Sequence, residues 1–526
     1  MRGRRTVAAL IATAAALLLF ACGGGSNTHA TTPPAGPSYT NPVIGGQQPD
    51  PTILRDGDTF YLATTSRAWA PVFPLQRSRD LVNWEPVGSV LPRPPAWSGA
   101  PFWAPELTRW DDRETRVYYT ARLREDRTQP CIGVARAPSP AGPYRDLGRP
   151  LTCPPDGAID AFVTRDEHDD PYLVYRRFHG AGGIWAQRLS ADGLRTEGRE
   201  RLLLAVGADD EGVVEGPTVT RHDGAFVLLY AAGDCCSPPC DYREAAARAP
   251  ALLGPYERAP QLVLRGSAQL RCPGHGTLVD DGRGGEWFVH HGVLADDPAN
   301  ARRNTLLEPV TWGDDGWPRI GDGGRSALRG PAPLGVAQRP PPPLAPDLRA
   351  PRLDPSWEWP WDQPPRVRQR AGRIELSGAP HGALLARQVA PLDVRAQVRA
   401  RPHGCVAGIA GVTGDQDAGS AYGIELARTD DGRTRVRAWQ GRAAGGAGRT
   451  LATTTLEQPP AALALDVRGA RTLRFSVRSA GGGWRTLPAR ATTLGNRRIL
   501  RIGLTCRGPL TSDASFDALQ IRRTGR

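Results

Sequence analysis

Apolar residues along the chain come in short runs broken by turns of Gly, Asp and Pro, and no stretch carries the three-and-four spacing of a long amphipathic helix. Five segments share one plan: a polar head, a short apolar strand, a turn and an aromatic-rich second strand. They are Asp50-Pro-Thr-Ile-Leu54 with Thr59-Phe-Tyr-Leu-Ala63, Glu106-Leu-Thr-Arg-Trp110 with Arg116-Val-Tyr-Tyr-Thr120, Asp160-Ala-Phe-Val-Thr164 with Pro171-Tyr-Leu-Val-Tyr175, Glu215-Gly-Pro-Thr-Val219 with Ala225-Phe-Val-Leu-Leu-Tyr230, and His275-Gly-Thr-Leu-Val279 with Glu286-Trp-Phe-Val-His290. Their heads stand 54 to 60 residues apart. A repeat of short antiparallel strands at that period predicts propeller blades of four strands each, and five units predict five blades. Segments beginning at Gln76, Ile132 and Ile184 read as third strands, and Ala141-Gly-Pro-Tyr144 and Leu253-Gly-Pro-Tyr256 as matching turns.

Beyond the fifth unit the pattern changes. Pro340 to Pro343 and further prolines mark a stiff extended linker. After it, segments such as Arg373-Ile-Glu-Leu376, Val394-Arg-Ala-Gln-Val398 and Tyr422-Gly-Ile-Glu-Leu426 alternate apolar and polar residues, the signature of an antiparallel β-sandwich. The fold class is therefore all-β, a five-bladed β-propeller followed by a β-sandwich. The boundaries expected are a leader over 1–21, a tether over 22–40, the propeller over 41–325, the linker over 326–350 and the sandwich over 351–526.

The start of the chain adds a location. Arg2, Arg4 and Arg5 precede a largely apolar run from Val7 to Phe20, a secretory leader too short to span a bilayer as a mature helix. Leu19-Phe-Ala-Cys22-Gly23 resembles the lipobox of bacterial lipoproteins, which implies lipid on Cys22 and anchorage to the cell envelope; secretion without an anchor is the other reading. Export permits disulfides. Cys405 and Cys506 form one candidate bridge, and Cys131, Cys153, Cys235, Cys236, Cys240 and Cys272 supply up to three more. All 66 basic residues are Arg, and the net charge is +12. Because these are scattered among acids rather than gathered on one segment, no nucleic-acid partner is expected.

In a propeller the innermost strand of each blade lines the central channel, so Asp50, Glu106, Asp160, Glu215 and His275 are expected to meet around one axis. Carboxylates brought together out of water push one another's pKa values apart. With that ring in view, the motifs are similar to a known family. Asn41 to about Ile320 resembles glycoside hydrolase family 43, through Tyr39-Thr-Asn-Pro-Val-Ile44, Pro49-Asp50-Pro51, Ser78-Arg-Asp-Leu-Val-Asn-Trp84, Trp103-Ala-Pro-Glu106, Ile159-Asp160, Glu215-Gly-Pro217 and Gly274-His275-Gly276. The region after Pro351 resembles the concanavalin-like, jelly-roll type of sandwich attached to β-xylosidase-type members.

The resemblance implies Asp50 as general base, Glu215 as general acid and Asp160 as the carboxylate that orients the acid and raises its pKa. Ala161 stands where the family has Pro. It also implies that Glu106 and His275 are channel residues, that His275 is a possible ligand of a structural calcium, and that no cofactor is required. Trp103, Phe102, Trp69 and Trp185, with Glu106, are candidate sugar contacts. An acid and a base on separate blades suit inverting hydrolysis, in which the two carboxyls are about 6.5 to 9.5 Å apart. The function expected is exo-acting release of arabinofuranosyl or xylosyl units from arabinan, arabinoxylan or xylo-oligosaccharides. Endo-arabinanase, and a non-catalytic carbohydrate-binding surface lipoprotein, are the alternatives. The sandwich is expected to brace the propeller rather than bind polymer.

Overall fold

The computed structural model describes residues 36–525 apart from 181, 237–239, 298–301, 378, 380, 415–418, 444–447 and 495–496. The expected leader, Cys22 and the tether as far as residue 35 lie outside the described residues. Strand dominates, as the periodicity predicts, and only two short 3-10 turns interrupt it among the described residues.

Five four-stranded antiparallel sheets follow one another along the chain. Their inner strands are Thr52–Asp56, Ser98–Asp111, Ala158–Arg165, Val214–His222 and Leu270–Asp280, for blades I to V. Neighbouring inner strands touch in that order and close from blade V back to blade I. The seam between those two is filled by the N-terminal segment. Ser38–Thr40 pairs with Arg329–Pro331, and Tyr39, 1% exposed, packs with Ile53 and Phe60 of blade I and Val289 and Leu307 of blade V.

The sandwich has a seven-stranded and a six-stranded sheet. Strand Val394–His403 alternates buried and open residues, as expected of a sheet with one wet face. Val406–Thr413 is nearly continuous in apolar and small residues and is buried on both faces. One face of its sheet, with Ile409, Ile424 and Leu385, fills the sandwich core. The other, with Ala410, Val412 and Trp439, packs on Trp69, Phe73 and Phe102 of the propeller. Trp359–Pro360 pairs with Trp69–Ala70, and the Arg501 guanidinium lies 4.0 Å over the Trp69 ring while pairing with Glu358 at 2.6 Å. The disulfides are Cys131–Cys153, Cys235–Cys236, Cys240–Cys272 and, as expected, Cys405–Cys506.

Candidate active site

Each inner strand carries the same local device near the end of the channel. Asp50, Ala104, Asp160, Gly216 and His275 all take positive φ, at 53°, 41°, 57°, 56° and 51°. In blades II to V this residue sits where the ladder slips register. A bulge of this kind re-aims one side chain while the strand continues, and left-handed non-Gly residues persist where the surroundings over-determine them. The bulge forms at Asp160-Ala161 as it does at Ala104-Pro105 and Gly216-Pro217, so Pro in the second position is not needed for it. Gly216 has a further reason to be glycine: a Cβ there would meet His275 Cγ at 2.6 Å.

This register corrects the expected ring. Asp50, Asp160 and His275 occupy equivalent places, but Glu106 stands two residues beyond Ala104 and Glu215 one residue before Gly216. Glu106 is 7% exposed and accepts a hydrogen bond from Thr52 Oγ1 at 2.8 Å, joining blade II to blade I deep in the channel. Burial pushes its pKa up to about 8 against that bond, so it is neutral at pH 7. Asp50, Glu106, Asp160 and His275 share an axial cavity of about 10 Å³. That is room for about one water and not for a ring-sized ligand.

Asp50 is tied from several sides. Its Oδ2 accepts from Thr65 Oγ1 at 2.7 Å, and its Oδ1 pairs with Arg303 Nη1 at 3.0 Å. His291 Nδ1 lies 3.2 Å from Oδ1 and 3.3 Å from the Asp50 amide nitrogen. Burial alone would raise the Asp50 pKa, but the Arg303 charge, with His275 and His291, holds it well below the usual carboxylate range. Asp160 moves the other way. Burial pushes it up to about 6; His275 and Arg176 oppose the rise, and the charges of Glu215 and Asp50 add to it. His275 Nδ1 sits between the two, 3.7 Å from Asp50 Oδ1 and 4.0 Å from Asp160 Oδ2.

Both oxygens of Glu215 are held, Oε2 by Arg176 and Oε1 by the Tyr242 hydroxyl at 2.8 Å. An oxygen of Asp160, one of Glu215 and a ring nitrogen of His275 lie within 4.8 Å of one another. This donor set fits calcium poorly. The ion takes 6 to 8 oxygens, whereas two carboxylates and an imidazole stand here, with the Glu215 oxygens already engaged.

Two of the four aromatic candidates are not available to sugars. Trp69 and Phe102 are 0% exposed because the sandwich and Trp361 cover them. Trp185 lies on the third strand of its blade, two strands out from the channel, under Arg177. Trp103 is half-buried beside Phe178, with ring centroids 6.1 Å apart, and Phe178 in turn lies under Arg176. Arg303, His291, Arg176, Tyr242 and Phe178 are site residues that the repeat did not indicate. A faint signal for some of them exists, since His290-His291 and Arg302-Arg303 are polar pairs close to apolar strand sequence.

One carboxylate kept ionised, another raised toward neutral pH and a third held beside it at the mouth of a propeller are an arrangement suited to acid–base cleavage of a glycosidic bond. The chain belongs to the glycosyl hydrolases family 43, whose model matches residues 39–318. It is 29% identical over 313 residues to a xylosidase/arabinosidase 43B of Humicola insolens, covering 55% of this chain and 56% of that protein. It is also 29% identical over 312 residues to a non-reducing end α-L-arabinofuranosidase of Bacteroides ovatus, covering 55% and 54%. The chain thus spans about half the length of these curated relatives. A solved family 43 structure from Bacillus licheniformis superposes with a TM-score of 0.78 at 20% identity, over 93% of this chain and all of that one, so propeller and sandwich share its fold.

Proposed function

We propose that the protein is an exported glycosidase, anchored through lipid on Cys22, that releases arabinofuranosyl or xylosyl units from chain ends of plant-type polysaccharides with inversion. The observation that carries this reading is the opposed setting of Asp50 and Asp160. A base must be ionised to take a proton, and Asp50 is held ionised by Arg303. Asp50 removes a proton from water as the water oxygen bonds to the anomeric carbon. Glu215 gives a proton to the departing oxygen as its bond breaks. Asp160, within reach of Glu215, orients that acid. In the acid role Glu215 carries a proton on one of two oxygens now held by Arg176 and Tyr242, so one of these donors gives way when glycoside binds. The chemistry draws on no cofactor, and no step runs through a cation.

The names of the two curated relatives support arabinose and xylose as the sugars, and they leave the choice between the two open. Exo action is favoured by the nearness of the sandwich to the site: Trp361 packs on Phe102, two residues before Ala104, and Gln388 bonds to the Gln47 amide, three residues before Asp50. The test is hydrolysis of paired nitrophenyl α-L-arabinofuranoside and β-D-xyloside, with proton NMR of the first-formed sugar. Release from at least one substrate is expected. Asp50→Asn and Glu215→Gln should lower kcat by about 10² to 10⁴-fold. Retained configuration would refute inversion, and an active Asp50→Asn would refute the site. Silence on both glycosides, with cleavage of linear arabinan, would point to an endo-enzyme; silence there too, in a folded protein, would point to a binding lipoprotein.

A further inference from the structure

The sandwich reaches the site as well as the propeller flank. Gln388 closes strand Ala383–Gln388 at the edge of the six-stranded sheet. Its Oε1 accepts from the Gln47 amide at 2.9 Å and lies 3.4 Å from Gln48 Nε2. The loop it holds is shaped for that oxygen. Gly46 takes φ 115°, and a Cβ there would come within 3.1 Å of Gln388 Oε1. From this loop two paths lead to Asp50. Gln47 Oε1 accepts from the Arg303 amide at 2.7 Å, and the Gln48 amide donates to the Arg303 carbonyl at 2.9 Å, so the backbone of Arg303 is clasped in both directions. The Arg303 side chain then pairs with Asp50 Oδ1. On the other path Gln48 Oε1 accepts from Thr64 Oγ1 at 2.9 Å, and the next residue, Thr65, donates to Asp50 Oδ2.

A second tie lies next to the first. Arg302, 3% exposed, donates from Nη2 to the Ile499 carbonyl of the sandwich at 2.8 Å and from Nε to the Val389 carbonyl at 3.4 Å. The chain on either side of the Arg303–Asp50 contact is thus pinned to the second domain. Plain docking of two domains does not call for this. The apolar face around Trp69, with Arg501 stacked on the Trp69 ring, already joins them on a different part of the interface.

We propose that Gln388 is a positioning residue for Asp50, acting from the sandwich through the Gly45–Gln48 loop and Arg303, so that the accessory domain sets the geometry of the base. The inference rests on Asp50 being the general base. Gln388 acts here only as an acceptor, which fixes the design of the test. In the full chain, Gln388→Met keeps length and removes the acceptor, whereas Gln388→Glu keeps an oxygen in place. With Gln388→Met, kcat should fall about tenfold, the scale of a small misplacement of a reacting group, with KM within about twofold. The acidic limb of kcat/KM should move to higher pH, because a loosened Arg303 no longer holds Asp50 down. Gln388→Glu should restore both kcat and the limb. A Met variant with wild-type kcat and limb would overturn the proposal, as would a Glu variant as impaired as Met. If Gln388→Met does not fold, Gln388→Asn, whose amide stops one carbon short, is read in the same way. If the wild type hydrolyses no glycoside, the functional reading falls by itself. The coupling is then read by carbon NMR of the Asp50 carboxyl, whose titration should shift upward in Gln388→Met and would refute the proposal by staying put.

Discussion

Asp50 and Asp160 stand on the same left-handed turn in two blades, and their surroundings drive them apart. At Asp50, Arg303 and two imidazoles together outweigh burial, whereas at Asp160 burial, aided by the charges of Glu215 and Asp50, prevails over His275 and Arg176. Glu106 shows what a channel carboxyl does with no cation beside it: burial raises it to about 8. Its folded pKa exceeds the value of about 4.3 in an unfolded chain. The stability it contributes is therefore full below that value and is lost as pH rises through about 8. Glu106→Gln, neutral throughout, should not show that loss. Between pH 4.5 and 8 the wild type should lose on the order of a few kcal/mol relative to the variant, read as the difference of their denaturant midpoints, in which Glu308 and the other buried acids cancel. Parallel pH curves for the two proteins would disprove the assignment. At this scale Asp50, Asp160 and Glu215 were legible because each heads a repeated strand. Arg303, His291 and Tyr242 were not, because His291 sits on a second strand and Arg303 and Tyr242 just ahead of third strands, and they meet the carboxylates only after the blades close.

Among the elements, the inner strands owe their use to one irregularity repeated five times. The head spacing foretold the strands, but equal spacing does not reveal where the bulge falls, and Glu106 was accordingly placed a layer too high. In the sandwich the alternating pattern passed over Val406–Thr413, whose continuous apolar and small run is that of a strand buried on both faces, whereas the presence of only two thiols after Gly321 made the Cys405–Cys506 bridge readable. That bridge joins neighbouring strands, with Ala407 opposite Cys506, across a sequence separation of 101. Replacing both cysteines with Ala should cost about 2 to 5 kcal/mol, seen as a lower urea midpoint of the sandwich transition. An unchanged midpoint would mean that the strand pairing alone holds this edge.

For the whole molecule, the two domains share an apolar core. Trp69, Phe73 and Phe102 are covered by Ala410, Val412 and Trp439, and buried Arg501 of the sandwich stacks on the Trp69 ring. A chain ending before Pro351 should therefore expose a continuous apolar patch and sediment as aggregate, while the full chain stays monodisperse. A soluble, fully active truncated propeller would defeat the bracing reading. The fold class followed from the repeat, but this interface did not, since nothing in an apolar strand says which of two neighbours it will meet. The ring has one weak place of its own. Blades I and V share no strand, and Tyr39 is wedged between them. Asp50 belongs to one side of that seam, Arg303 and His291 to the other. Parting the seam and unpairing Asp50 are consequently one event, so moderate heating should abolish turnover while most of the blades are still intact, and residual turnover should gauge how tightly the circle is shut rather than how much of the protein survives.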